Sequence, residues 1–332
     1  NATAGVVNLS SAKPTDQFEA MASGELGNYH QRRFEGMINL PIVDDRLDIR
    51  VAGEWTKRQG YSFNEITDQR IDGRDLWSGR VTLRVKPISR LDASIIWEHF
   101  QESDDRMRST KQLCKKDPGP MSVDGLDISH LPTQFGVDQT EFYQSLLSQG
   151  CLPTSLYSPE AFETPRGQAN PIVMADEFVI GGNNGFLLNQ IDPYASVTQP
   201  RDLRTIQSEI DPTYHAKSDI VEFNVDFKLT PSLTLTAQTG YNKDGLSSTE
   251  DFNRFNTAPG LFSVSFGDVT PDQFLADPHA FGSYAPVTQN GVYCDPQLGC
   301  STKMVGEDLS REHAWQLNQE LRLASDFSGP LN

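Results

Sequence analysis

Apolar and polar residues alternate along much of this chain, and the stretch 34–55 shows the pattern most fully. It contains two alternating runs, separated at 41–45 by proline and aspartate residues that favour a tight turn. A period of two predicts extended strands, because successive side chains point to opposite faces. In the second run Leu47, Val51 and Trp55 share one face, whereas the other face carries charges of both signs. A thin apolar face opposite mid-strand charges is typical of transmembrane β-barrels, which are apolar toward lipid and polar toward the lumen.

The same alternation recurs along the chain and predicts eight strands. We expect them to pair in chain order as one curved sheet, because tight turns join many of them. The predicted fold class is therefore all-β, a segment of an antiparallel up-and-down transmembrane β-barrel. The strands are predicted near residues 17–27, 31–41, 46–57, 77–87, 90–100, 219–230, 232–243 and 313–325.

The connections between these strands differ in length at the two ends of the sheet. Those at Pro41, Pro87 and Pro231 are tight, whereas two on the other side extend over about 101–218 and 244–312. Short periplasmic turns and long extracellular loops are the pattern of outer-membrane barrels. A connection as long as the first should contain structure of its own, and helical spacing predicts a short helix within 136–150.

Large aromatic residues lie at the long-loop ends of the predicted strands, in phase with the apolar face. Aromatic rings favour the boundary between lipid and water, so this placement predicts a membrane-interface girdle. Core aromatics of a soluble sheet would instead be scattered along the strands. The predicted girdle residues are Trp55, Trp77, Trp97, Tyr241 and Trp315.

Composition and motifs exclude several other classes of protein. The 332 residues include 28 Lys and Arg and 45 Asp and Glu, a net charge of −17 that argues against a nucleic-acid partner. No apolar run approaches the roughly 20 residues of a membrane-spanning helix. The six histidines lack metal-ligand spacing, and no serine lies in a G-x-S-x-G motif, so we expect neither an enzyme nor a cofactor. Glu222 and Asp226 share the polar face of one strand, where we expect them to pair with lumen-side arginines or with the plug of a closed barrel. The arginines concerned are Arg50, Arg80, Arg84 and Arg322.

All four cysteines lie outside the predicted strands, in loops that would face an oxidising compartment. Four cysteines allow three pairings. We predict Cys114–Cys151 and Cys294–Cys300, because each pair lies within one long loop and needs no docking between loops. A zinc site is the alternative, but the sequence lacks the CxxC spacing that it favours.

The first residues of the chain resemble the last plug strand of TonB-dependent outer-membrane receptors, which precedes the first barrel strand. Ala4 stands where that family more often has glycine. The stretches 39–55 and 316–332 are similar to the same family. The residues that match the plug pattern are Asn1, Ala2, Ala4, Gly5, Val6, Val7 and Asn8.

This resemblance implies a plugged barrel of about 22 strands and energised import across the outer membrane of a Gram-negative bacterium. Residues 1–14 would be the end of the plug and its linker, and 15–332 the first part of the barrel. The expected partners are outer-membrane lipid, the TonB complex through the N-terminal plug region, and a small-molecule or metal-chelate ligand. We expect the TonB box, most of the plug and the closing strand to lie outside this sequence.

A ferric siderophore or a similar metal complex is the ligand that the resemblance favours. Both long loops are acidic, which would attract cationic or metal-bearing ligands toward aromatic stacking surfaces. A passive porin, a receptor for carbohydrates or aromatic compounds, and a soluble β-domain are the alternatives. The candidate ligand-binding aromatics are Tyr61, Phe63, Tyr143, Tyr157, Phe252, Phe255 and Tyr293.

Overall fold

The computed structural model describes residues 5, 10–134, 137–166, 194, 196–251, 256–258, 292–327 and 329. Within these ranges the chain forms nineteen strands, one α-helix (α1, Gln139–Leu147) and a 3₁₀ turn at Pro159–Ala161. The strands are β1 (Glu19–Gly27), β2 (Gln31–Val43), β3 (Leu47–Arg58), β4 (Ser62–Asn64), β5 (Gln69–Ile71), β6 (Arg74–Ile88), β7 (Leu91–Asp104), β8 (Lys115–Lys116), β9 (Ser122–Val123), β10 (Leu126–Asp127), β11 (Thr133–Gln134), β12 (Val137–Asp138), β13 (Cys151–Leu152), β14 (Thr205–Ile206), β15 (Thr213–Thr230), β16 (Leu233–Glu250), β17 (Tyr293–Asp295), β18 (Gly299–Ser301) and β19 (Asp308–Ser325).

Eight long strands form one antiparallel sheet in the order β1-β2-β3-β6-β7-β15-β16-β19. This confirms the predicted eight strands and their pairing in chain order. The sheet is open, with β1 and β19 at its edges, and it has the form of a β-barrel segment. Among the described residues, no helix is long and apolar enough to cross a membrane.

The last three strands of the sheet extend further toward the long loops than predicted. Strand β15 begins at Thr213 rather than near 219, β16 ends at Glu250 rather than near 243, and β19 begins at Asp308 rather than near 313. Both faces are polar in these extensions, so the apolar alternation disappears while the backbone ladder continues. The two long connections are consequently shorter than expected, at 105–212 and 251–307.

The two faces of the sheet have the polarity that the sequence predicts. On the apolar face large side chains are exposed, with Trp315 and Leu321 each 71% accessible on the edge strand β19 and Phe223 47% accessible within the sheet. On the polar face Asn39 and Asp48 are almost completely buried. A sheet of a soluble sandwich would bury its apolar side chains against a second layer. Here an exposed apolar face of this extent requires cover from another apolar phase or partner.

The buried apolar clusters lie in the loop region above the sheet. Ile71, Met107 and Ile206 form one cluster, and Cys114 packs with Tyr194 in another. A three-stranded sheet in the order β14-β4-β5 joins the 59–73 connection to the 105–212 loop. The predicted helix is present as α1, which begins after Asp138, whose side chain accepts bonds from the first-turn amides.

Candidate functional site

Ion pairs cross the polar face of the sheet between neighbouring or nearby strands. They join Arg50 to Glu19 at 3.1 Å, and they join arginines on β6 to acids on β7. These arginines pair with acids on neighbouring or nearby strands rather than with Glu222 and Asp226. Asp226 lies 3.7 Å from Lys13, within the predicted plug end and linker 1–14, and accepts a 2.7 Å bond from Thr236. The two β6–β7 pairs are Arg80–Glu98 and Arg84–Asp92.

The segment 13–17 lies across this polar face at the short-turn end of the sheet. Asn39 on β2 holds it, because its side chain accepts a bond from the Thr15 amide at 3.0 Å and donates to the carbonyls of Thr15 and Gln17 at 2.9 and 2.6 Å. Arg84 donates to the Pro14 carbonyl at 3.1 Å. The chain entering β1 is therefore fixed to the polar wall. Most of the proposed plug end, 1–14, lies outside the described residues, and its assignment stays a prediction.

Of the predicted girdle residues, Trp55 and Trp77 lie near the long-loop ends of β3 and β6. The other three, Trp97, Tyr241 and Trp315, lie near the middle of β7, β16 and β19, because these strands continue beyond their predicted ends. Trp55 and Trp77 are directly opposite each other, and Trp97 and Tyr241 both lie opposite Val221. The Trp55 indole donates to Asp75 at 3.2 Å, on the long-loop side of the ring. Trp315 on β19 lies opposite Lys243 on β16. An apolar ring with its polar edge toward the loops has the orientation of an interfacial aromatic. Contact with lipid stays a prediction.

A buried polar network connects loops that are distant in sequence. Asn64 donates to the Ser208 carbonyl and to Asp211, each at 2.9 Å, and Ser208 donates to Asp251 at 3.0 Å. These bonds link the 59–73 connection to the residues just before β15 and just after β16. The loops therefore dock on one another through polar groups, in addition to the disulfides within them.

Two basic residues hold the 105–212 loop, Lys111 by bonds within the loop and Arg108 by an ion pair with β19. The Lys111 ammonium donates to the carbonyls of Asp202 and Thr205 at 2.9 and 2.8 Å and also bonds the Pro200 carbonyl. Burial lowers the pKa of Lys111 to about 8, although nearby acids oppose that shift. Arg108 pairs with Asp308 at the start of β19 at 2.8 Å. The described parts of the loop (105–134, 137–166, 194 and 196–212), which we call the loop cap, are thus held together and joined to the sheet at its long-loop rim.

Two tyrosines and three arginines form a group at the long-loop rim above β1 to β3, which we call the Arg–Tyr cluster (Tyr29, Arg58, Tyr61, Arg70 and Arg204). The two tyrosine rings meet edge to face at 4.8 Å. The Arg58 guanidinium lies 3.4 Å from the centre of the Tyr61 ring, and those of Arg204 and Arg70 lie 5.5 and 5.6 Å from the Tyr61 and Tyr29 rings. Arg204 also donates to the Tyr29 hydroxyl at 2.9 Å.

Two arginines of the Arg–Tyr cluster, Arg70 and Arg204, are available to an anion. In the described part of the chain, none of their guanidinium groups forms an ion pair with a carboxylate. Arg58 is buried and donates to backbone carbonyls, whereas Arg70 and Arg204 are exposed. Guanidinium groups beside aromatic faces can bind planar carboxylate or phenolate groups in two-point fashion.

Of the predicted ligand-binding aromatics, the structure places Tyr61 in this cluster. Phe63 lies half-buried in β4, Tyr143 is exposed on α1 and Tyr157 is 93% accessible, so these do not join it. Tyr293 lies in β17. Phe252 and Phe255 lie outside the described residues. Sequence reasoning missed Tyr29 and the three arginines, because they come from three connections whose proximity no local pattern reveals.

The cysteines are joined as the sequence predicts. Cys114 is bonded to Cys151 with an S–S distance of 2.13 Å and a Cα separation of 5.1 Å. Cys294 is bonded to Cys300 with an S–S distance of 2.06 Å, across the β17–β18 hairpin. Among the described residues no group of His, Cys, Asp and Glu side chains is arranged to hold a metal ion.

Comparisons with known proteins provide structural neighbours. No protein-family model matches the chain. The open form of the ferric-catecholate import receptor Fiu from E. coli K12 matches with a TM-score of 0.46 and 8% identity, over 97% of this chain and 33% of that chain. Its closed form matches with a TM-score of 0.43 and 8% identity, over 96% and 30%. The chain thus spans about a third of the length of these receptor chains.

Proposed function

We propose that this chain is part of a TonB-dependent receptor that imports a scarce ligand across the outer membrane of a Gram-negative bacterium. The observation that carries the proposal is the polarity of the sheet, with exposed Trp and Leu side chains on one face and buried charges and amides on the other. In a barrel the apolar face would contact lipid and the polar face would line the lumen. The open edges at β1 and β19 would pair with further strands of the complete barrel.

A plug inside the lumen is the feature that separates an energised receptor from a passive porin. The bonds from Asn39 and Arg84 to the segment 13–17 support it, because they hold that segment against the polar face, where a plug would lie. Residues 1–14 would then be the end of the plug. The TonB complex would act on the N-terminal part of that plug, and no nucleic acid would take part.

The Arg–Tyr cluster supports a ligand that carries negative charge. The loops as a whole are acidic, which favours metal-bearing ligands, yet this group presents two exposed guanidinium ions, with a buried third, beside two aromatic rings. A ferric chelate whose ligand groups are phenolates or carboxylates satisfies both requirements, because the metal is held within an anionic, planar shell. Exposed Arg70 and Arg204 would make the first contacts.

Uptake of iron-55 as a tris-catecholate chelate tests this proposal in cells that produce the complete protein. We expect uptake that stops when the TonB complex is removed, since the plug must be moved by energy from the inner membrane. Replacing Arg70 and Arg204 by Gln should weaken uptake at limiting chelate by about tenfold or more, because each charge-assisted contact contributes roughly 1.5–3 kcal/mol. Arg90→Gln, at the opposite rim, is the matched control. Uptake that persists without TonB would instead identify a passive porin.

A further inference from the structure

A concave pocket of 720 Å³ opens on the apolar-face side of β7, β15, β16 and β19, near their long-loop ends. Its floor is Gly245, which lies between Lys217 on β15 and His313 on β19 in one row across the sheet. Glycine leaves a depression at this position because it has no side chain. A Cβ at position 245 would occupy part of the space and would lie 3.3 Å from His313 Nδ1. The volume is in the range of small-ligand sites, roughly 300–1,000 Å³.

Three permanent cations surround this pocket, which we call the external pocket. Lys243 lies one row toward the short-turn end and Arg311 one row toward the loops, on either side of the row that contains Lys217. All three side chains are exposed, and in the described part of the chain none forms a hydrogen bond or an ion pair. Such a concentration of unpaired cations is unexpected in a chain with a net charge of −17.

One of the three acids near the external pocket lies on the same face as the cations, and the other two do not. Asp219 is directly opposite Lys243 and accepts a 2.7 Å hydrogen bond from His99, so it offsets one of the three positive charges. The side chains of Glu102 and Asp244 point to the polar face of the sheet, away from the three cations, and their carboxylates contact residues there. Glu102 lies 3.5 Å from Arg106, and Asp244 accepts a bond from Asn242 at 2.7 Å. The pocket therefore presents net positive charge.

The pocket lies immediately above the girdle. Trp315 occupies the same row as Lys243, and the next row toward the short turns contains Trp97 and Tyr241. Interfacial aromatics mark the depth of lipid headgroups, and one further pair of residues along a strand adds about 7 Å. Cations at that height face the headgroup phosphates.

We propose that the external pocket binds the phosphate group of an anionic lipid in the membrane leaflet on the long-loop side. This inference rests on the proposed function, since it requires the apolar face to contact lipid. Lys217, Lys243 and Arg311 would donate charge-assisted hydrogen bonds to the phosphate oxygens, and the absent side chain at Gly245 would admit the headgroup. The site would hold a lipid at one fixed position on the barrel wall.

Native mass spectrometry of the complete protein, extracted in detergent, tests the proposal with phosphatidylglycerol as the probe and diacylglycerol of the same chains as the phosphate-free reference. The wild-type protein should bind phosphatidylglycerol more tightly, and excess inorganic phosphate should compete only weakly because it lacks the chains. The triple variant Lys217→Gln, Lys243→Gln, Arg311→Gln should weaken phosphatidylglycerol binding by about tenfold or more, since each cation near an anionic headgroup contributes roughly fivefold.

Two further variants test whether lipid binding depends on this pocket or only on the total positive charge of the protein. Lys57→Gln, Arg46→Gln, Arg90→Gln removes the same charge from other positions, one of them at the same height on the apolar face and two at the short-turn rim, and should bind the lipid as the wild type does. Gly245→Val keeps the charge but fills the floor, and it should weaken binding severalfold. Equal losses in the two triple variants, or no preference for the phosphate lipid in the wild type, would overturn the proposal. If the protein still inserts into bilayers, the proposed function stands even then, whereas a detergent-free soluble protein would remove both.

Discussion

At the scale of single residues, the polar face is built from side chains that satisfy several partners at once. Asn39 is the clearest case. Its side-chain amide is completely buried and forms hydrogen bonds with the backbone amide and carbonyl of Thr15 and with the carbonyl of Gln17. The role of Asn39 could not be inferred from the alternation of residues, which predicts only that its side chain faces the polar side. The segment that it holds has no apolar pattern of its own.

Replacement of Asn39 by Ala should detach the segment 13–17 from the sheet. Three backbone groups would lose their partner, at a cost of about 1–3 kcal/mol for each that stays buried. We expect faster proteolysis before β1 and a lower free energy of unfolding of the complete protein in detergent. Asn242→Ala is the control, because Asn242 lies on the same face but, among the residues that the structure describes, its side chain bonds only Asp244. Equal behaviour of the two variants would contradict the assigned role.

Lys111 should make the stability of the loop cap depend on pH. Its pKa is about 8 in the folded protein, below the ordinary 10.5, so the unfolded chain binds more protons between these values. The contribution of Lys111 to the free energy of unfolding therefore rises as the pH increases from about 8 to 10.5. Unfolding of the wild type and of Lys111→Met, followed across this range, should give a difference that grows with pH. A constant difference would show that this lysine does not titrate there.

At the scale of elements, sequence periodicity predicts the strands well where one face is apolar and fails where both are polar. Strand β15 illustrates this, because His215, Lys217 and Asp219 replace the apolar residues above the girdle although pairing with β7 continues. The small sheet of β4, β5 and β14 was not predicted, because its parallel pair joins Phe63 to Thr205 across a long stretch of chain.

The candidate site follows the same rule. Tyr61 could be proposed as an exposed aromatic of a loop, but its neighbours Arg58, Arg70 and Arg204 could not be placed near it. Their association depends on the docking of three connections, which is a tertiary property. By contrast, the cysteine pairing could be predicted because each pair closes a loop of limited length.

The Cys114–Cys151 disulfide should stabilise the loop cap more than the Cys294–Cys300 disulfide. The two close 37 and 6 residues. In the chain-entropy account these lengths correspond to about 4 and 2 kcal/mol. Replacing Cys114 and Cys151 by Ser should therefore increase proteolysis around α1, and the equivalent change at the shorter bridge should have the smaller effect on the unfolding temperature. The reverse order would show that strain or packing, rather than chain closure, dominates.

At the scale of the whole molecule, the chain combines an eight-stranded sheet, which forms a wall, with loops that dock at its long-loop rim. The eight-stranded sheet contributes few buried apolar residues, and its cohesion comes from the backbone ladder and the ion pairs of the polar face. The apolar clusters are concentrated where the loops dock. This division fits a wall that relies on lipid for its apolar cover.

Two adjacent residues in the middle of β15 provide a direct test of that cover. Phe223 is on the apolar face and Asn224 on the polar face. In a lipid-facing wall, Phe223→Lys would place a charge in the hydrocarbon at a cost of about 2–4 kcal/mol, whereas Asn224→Lys would leave the charge in a polar lumen. Folding of the complete protein into lipid vesicles, followed by urea titration, should therefore show a large loss for the first variant and a small one for the second. In a soluble sheet a lysine at the half-exposed position 223 would point into water, so similar, small losses in both variants would contradict the membrane assignment.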